Sequence, residues 1–199
     1  MTVNFNPTNV TVKSWLLARQ TGDVLRTCMD KLFTKYNITT ERYEVLVSIK
    51  YLGNRVNISD VANWLRRSTN SVSMIVDRMV KAGLVKRLRD KKDRRVVYIV
   101  ITSKGENILE AASPACWETI KELLSPLSRE DRRTFVSLLE MVNYKALEYL
   151  NPGKNIEKMV RNRAERHARV MERMPEYAWI AVPKPKHQGG KKAKTIRRE

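Results

Sequence analysis

The chain has 199 residues, 42% apolar and 30% charged, with 39 Lys and Arg against 21 Asp and Glu, a formal net charge of +18 at pH 7. That size can bury one core with appendages, and that composition excludes fibrous and wholly disordered classes. No run of about 18 apolar residues offers a membrane span, the start MTVNFNPTNV has no secretory pattern, and Cys28, Cys116, His167 and His187 fall at no zinc spacing. The expectation is a cytoplasmic protein with reduced thiols, without metal or cofactor. An excess of this sign and size favours a polyanionic partner, nucleic acid being the commonest, over a merely soluble or ribosome-bound basic protein.

In chain order, residues 10–35 read as a helix, with Val12, Trp15, Leu16, Val24, Leu25, Cys28 and Leu32 near a 3.6-residue period. Its apolar stripe is wide, which predicts burial on more than one side and hence a subunit interface. Thr39 caps a second helix, whose core face is Tyr43, Leu46, Val47 and Ile49 and which Gly53 stops. Residues 57–59 read as a short extended piece, with Ser59 capping a helix over 60–66. After a tight turn Ser68 caps a helix over 69–82, ended by Gly83. The β-branched runs 84–88 and 96–101 flank a charged loop and read as a hairpin.

Helical periodicity resumes over 102–124, where Pro114 is expected to kink or split the helix. Ser128 and Asp131 open another helix over 129–150, and Asn151-Pro152-Gly153 closes it. Residues 155–174 form a basic amphipathic pattern ended by Pro175, and 177–182 could be a small docking segment. The low-complexity end 183–199 reads as disordered. Residues 152–199 hold 14 Lys and Arg against 5 Asp and Glu, so a quarter of the chain carries half the charge excess.

The stretch 59–102 carries the chemistry. On helix 69–82, Val72, Ile75, Val76, Met79 and Val80 form an inward face, leaving Asn70, Met74, Asp77, Arg78 and Lys81 outward with Ser71 and Ser73 at the shoulders. A helix whose first turns expose small polar groups fits a major groove about 12 Å wide; Asn70 can bond adenine bidentately and Met74 can pack on a thymine methyl. A plain amphipathic surface helix would look the same. The hairpin shifts the balance: Lys86, Arg87, Arg89, Lys91, Lys92, Arg94 and Arg95 gather directly after a helix-turn-helix, where they can straddle a phosphate backbone and reach a minor groove. Asp90 and Asp93 are expected to shape the loop through local backbone bonds.

These pieces resemble the winged helix of the MarR family of transcriptional regulators: Val61-Ala62-x-x-Leu65, Ser68-x-x-Ser71-Val72-Ser73-x-x-Val76-Asp77-Arg78-Met79, Lys81-Ala82-Gly83-Leu84-Val85, Asp90-x-x-Asp93-x-Arg95 and Thr102-x-x-Gly105. The resemblance implies a mainly α fold with a small β-hairpin wing. It places the winged helix at 37–105 and dimerisation helices at 1–36 and 106–151; composition and pattern add a basic extension at 152–182 and a disordered basic tail at 183–199. It implies a homodimer binding double-stranded DNA through Arg66, Arg67, Ser68, Thr69, Asn70, Ser71, Ser73, Met74, Arg78, Arg89, Lys91, Lys92, Arg94 and Arg95. Arg94 or Arg95 would enter the minor groove, the other bracing the wing with Asp77 as a partner, alongside Asp90 and Asp93.

Four positions depart from the family pattern. Met74 stands where Arg is common, Arg66-Arg67 replace a Gly-Leu-like turn, and Val96 follows the wing where a small residue is usual. Residues 152–199 lie outside the family's extent. Family members often sense small aromatic acids, for which Trp15, Tyr43, Trp64 and Trp117 are available, although each also reads as packing. Cys28 and Cys116 read as small hydrophobes rather than a thiol switch. The functional expectation is a sequence-specific operator-binding regulator, with repression the favoured mode. Its alternative is a non-specific architectural DNA- or RNA-associated protein. No phosphate-cradling Gly loop, nucleophile elbow or metal cluster supports an enzyme.

Overall fold

The computed structural model describes residues 9–172 except Asn54, Lys91, Lys92 and Arg94. The sequence expectations for 173–199 and for those wing cations therefore lie outside the described residues. Seven helices and one hairpin follow in the order α1 (Val10–Thr34), α2 (Thr40–Leu52), α3 (Ile58–Leu65), α4 (Thr69–Lys81), β1 (Val85–Arg89), β2 (Val97–Ile101), α5 (Ser103–Leu123), α6 (Arg129–Leu150) and α7 (Ile156–Glu172). None of the described helices is long and apolar enough to cross a membrane. Among the described residues no cluster of His, Cys, Asp and Glu could hold a metal ion.

The core forms around α2. Its Tyr43, Val45, Leu46 and Ile49 meet Phe33 of α1, Val61 and Ala62 of α3, and Val72, Val76 and Met79 of α4. Ile99 and Ile101 of β2 and Leu109, Ala112 and Cys116 of α5 complete it. Phe33 stacks on Tyr43 with centroids 4.2 Å apart, and the Tyr43 hydroxyl bonds Ser113 at 3.1 Å. Burial pushes the Tyr43 hydroxyl's pKa far above its usual value, so this phenol stays protonated and serves as structure.

Three features differ from the sequence expectation. The cap of α3 is Asn57, not Ser59, and the helix starts two residues earlier than expected. Asn57 Oδ1 accepts from the Asp60 N–H at 2.8 Å while the Asp60 carboxylate accepts from the Asn57 N–H at 3.2 Å. This reciprocal box satisfies two donors, where Ser59 alone would satisfy one. Second, α5 runs unbroken through Pro114, because Ala112, Ser113 and Cys116 on either side of it are all buried and hold the two halves to one core. Third, Val80 is 36% exposed; the face of α4 that meets the core is narrower than the apolar pattern.

The hairpin pairs Val85 with Ile101 through Arg89 with Val97 in antiparallel register, and Val56 adds a bridge to Ile99. Its root is tied to α4 and α5 by Thr102. The Thr102 hydroxyl reaches the carbonyls of Gly83 and Leu84 at 2.6 and 3.0 Å and caps α5 by accepting from the Gly105 N–H. Gly105 has no alternative here: a Cβ would collide with the Leu84 carbonyl and lie 2.7 Å from Ile101 Cγ2. The Thr102-x-x-Gly105 pattern is thus the joint that fixes the wing to the body.

Two helices stand apart. From α1 only Phe33 is buried, with Trp15, Val24 and Leu25 in solvent. In α6 no residue is buried, although Phe135, Leu138, Leu139 and Val142 repeat at helical spacing.

Candidate nucleic-acid interface

The reading surface begins at the turn before α4. Arg66 closes α3 in the left-handed conformation, φ 53°, a region that costs a non-glycine residue roughly 1–2 kcal/mol. This places Arg66 in the backbone role that a glycine usually fills. The Arg66 guanidinium donates to Asn143 Oδ1 of α6 at 2.6 Å, and Arg67 donates to the Glu44 carboxylate of α2 at 3.2 Å. Both turn arginines expected at DNA are therefore engaged within the protein, Arg67 more deeply, its side chain being 23% exposed.

Ser68 follows in extended conformation and caps α4, its hydroxyl accepting from the Ser71 N–H at 3.1 Å. Thr69, Asn70, Met74, Asp77 and Arg78 project outward, and Ser71 and Ser73 are half-buried. Met74 is 58% exposed, a large apolar side chain held in water by a helix whose Val72, Val76 and Met79 fill the core behind it. One small polar and apolar surface results, with no acid in the first turn and the helix N-terminus favouring an anion beside it.

The wing lies alongside. Arg89 at the end of β1 and Arg95 beyond the tip are exposed. The tip is shaped by its own acids: Asp90 Oδ1 accepts from the Asp93 N–H at 3.1 Å, and Asp93 Oδ1 from the Arg95 N–H at 2.9 Å. Among the described residues the partner of Asp77 is Arg87 of β1, at 2.6 Å, rather than a cation of the wing tip. Strand geometry explains this, since β1 runs directly beside α4 while the tip extends away from it. The sequence pattern counts Arg87 among the wing cations without giving it a role. It passes over Arg55, whose guanidinium sits 5.6 Å over the Tyr98 ring of β2. Period-2 alternation along 97–101 could have flagged Tyr98 as outward-facing.

Behind the reading surface, a cleft of about 790 Å³ opens between α1, α2 and the turn, walled by Arg26, Glu44, Trp64, Arg66, Arg67 and Ser71. Burial raises the Glu44 pKa, against the opposing pull of Arg67 and Arg26. Of the four aromatics considered for ligand contact, only Trp64 lines this cleft; Tyr43 is core, and Trp15 and Trp117 are exposed.

Comparison with known proteins fits this geometry. Residues 38–97 match the model of the MarR family. The chain is 27% identical over 116 residues to the HTH-type transcriptional regulator PecS of Dickeya dadantii, spanning 57% of this chain and 70% of PecS. It is 37% identical over 86 residues to the HTH-type transcriptional regulator MgrA of Staphylococcus aureus, spanning 43% of this chain and 58% of MgrA. The segment over 38–97 is thus similar to the MarR family. Both curated relatives are HTH-type transcriptional regulators. The MarR fold is matched with a TM-score of 0.63 by a cysteine-to-serine mutant of E. coli MarR complexed with operator DNA, at 22% identity over 69% of this chain and 99% of that one.

Proposed function

We propose that this protein is a MarR-family, cytoplasmic, sequence-specific repressor that binds a pseudo-palindromic operator as a homodimer. The observation that carries the reading is the pairing of an outward small polar turn on α4 with a basic wing braced to the same helix by Asp77–Arg87. Thr69, Asn70, Ser71, Ser73 and Met74 enter the major groove, with Asn70 the best donor–acceptor pair for adenine. Arg89 and Arg95, with Lys91, Lys92 and Arg94 of the wing tip, take phosphates and the minor groove, and Ser68 and Arg78 flank the groove. Arg66 and Arg67 contribute by holding the turn, and reach phosphate only on leaving Asn143 and Glu44. The uncovered apolar faces of α1 and α6 support the dimer, because patches of this kind on a monomer mark association. Repression follows from occupancy: a dimer straddling a promoter excludes polymerase.

Selection from a random duplex pool tests the reading. Two enriched half-sites about 10–10.5 bp apart, centre to centre, are expected. A specificity ratio below about tenfold, against the thousandfold or more of specific binders, would establish the non-specific architectural alternative instead.

The cleft supports a small anionic aromatic effector, with the Arg26, Arg66 and Arg67 cations on its walls and the Trp64 indole beside them. Benzoate titration should quench Trp fluorescence in the native chain and lose that component in Trp64→Phe. An unchanged emission together with unchanged operator affinity rules the effector site out.

A further inference from the structure

Arg66 and Arg67 separate the last residue of α3 from Ser68, the cap of α4. Their backbone therefore sets the direction in which α4 leaves the body. Arg66 stands at φ 53° and ψ 42°, a region that a β-carbon disfavours, and the Arg67 N–H returns to the Ala62 carbonyl at 3.0 Å. In the right-handed region Arg66 would instead prolong α3 and carry the start of α4 elsewhere. Beyond the turn the chain is stiff. The Ser68 hydroxyl accepts from the Ser71 N–H and its carbonyl from the Val72 N–H, both at 3.1 Å. A rotation at Arg66 is thus passed on to Asn70, Ser71, Ser73 and Met74.

Side chains anchor this turn from two sides. Arg67 donates to Glu44 of α2, the helix on which the core is built. Arg66 donates to Asn143 Oδ1 of α6 at 2.6 Å, across 77 residues. The two anchors differ in kind, because α6 contributes no residue to the core and buries none of its own side chains. Asn is also a poor helix former inside a helix. Asn143 therefore serves α6 badly and the turn well.

We propose that Asn143 is a positioning residue for DNA reading. Through Arg66 it fixes the turn, and so the angle at which Thr69 to Met74 meet the bases, without touching DNA itself. The inference rests on the DNA-binding reading of α4. A reader whose competent conformation is only partly populated loses apparent affinity by that fraction. Misaiming α4 costs base contacts, whereas the phosphate attraction behind non-specific binding is indifferent to it.

The test compares the full chain with Asn143→Ala, Asn143→Asp, Arg66→Ala and the double variant Asn143→Ala with Arg66→Ala. Asn143 is exposed and Ala is the best helix former, so α6 persists. In the free protein, amide hydrogen exchange at Arg67 and Ser71 should quicken about three- to tenfold in Asn143→Ala, as expected for one lost hydrogen bond. Asn143→Asp should restore it, since a carboxylate still accepts from Arg66. The double variant should exchange no faster than Arg66→Ala alone, because the two residues act as a unit. On the duplex selected from the random pool, Asn143→Ala should bind about three- to tenfold more weakly. Its affinity for a shuffled duplex of the same length, and its slope of log K against log salt, should stay unchanged. Unaltered exchange in Asn143→Ala overturns the proposal, as does further acceleration in the double variant. Quickened exchange with undiminished affinity for the selected duplex overturns it too, leaving the bond a purely structural one. So does tighter binding with a slope steeper by about 0.9 per protomer, which would make Arg66 a phosphate contact that Asn143 restrains. A pool that yields no preferred duplex sinks the sequence-specific reading, while exchange in the free protein still decides whether Asn143 holds the turn.

Discussion

At the scale of single residues, Arg66 combines two jobs that pull in opposite directions. Its backbone occupies the left-handed region and its side chain ties the recognition turn to α6. Arg66→Gly removes the backbone cost while losing the Asn143 bond, whereas Arg66→Ala loses the bond and keeps most of the cost. Chemical denaturation should therefore find Arg66→Gly more stable than Arg66→Ala by about 1 kcal/mol; equal stabilities would show that the turn is not strained. The Asp77–Arg87 pair is half-exposed, a setting worth only about 0.2–1 kcal/mol, so its value lies in fixing the angle of the wing. The fourteen expected DNA residues are readable as chemistry, but the internal engagements of Arg66 and Arg67 are not. A positive φ at a non-glycine leaves no trace in composition, and a partner 77 residues away leaves none in local pattern.

Elements are the more legible level. Helix ends follow from side chains that accept the first N–H groups: Thr39, Ser68 and Ser128 all cap as their spacing suggests, while Thr102, read as the first residue of its helix, is instead its cap. Asn57 escapes a sequence reading because Ser59 offers the same signal two residues later, and only the Asp60 carboxylate returning to Asn57 decides between them. The wing's register is equally out of reach, since β-branched runs fix the presence of strands and not which residues face each other. The box at the start of α6 carries a pH signature. The Ser128 hydroxyl and N–H both bond the Asp131 carboxylate and hold its pKa below the ordinary value. A depressed folded-state pKa gives stability that is present above the unfolded value and lost as pH falls through the folded one. Ser128→Ala should thus flatten the acid limb of the helix melting profile below about pH 4, read by circular dichroism. An acid limb unchanged by the substitution would mean the box contributes nothing to α6.

For the whole molecule, the core gathered on α2 draws on Phe33 of α1 and on α5 as well as on the helices and strand of the winged helix, whereas α6 buries none of its side chains and α1 one. The wide stripe of α1 is visible in sequence; what the sequence withholds is that α6, equally rich in Leu and Val, buries none of its own side chains against its own chain. Leu139→Asp should convert the proposed dimer to monomer in sedimentation equilibrium while leaving the core near-UV spectrum intact. A dimer that survives this substitution would place the interface elsewhere.

The bare apolar face of α6 also has a consequence for dose. If that face is covered only by a second copy, the competent reader is a product of two chains, and below the dissociation constant its amount rises as the square of the chain's abundance. Operator occupancy then responds to expression more sharply than any monomeric reader of equal affinity could, so that halving synthesis would empty the promoter disproportionately. The apolar helix that looks like an unfinished surface would set the gain of the regulator.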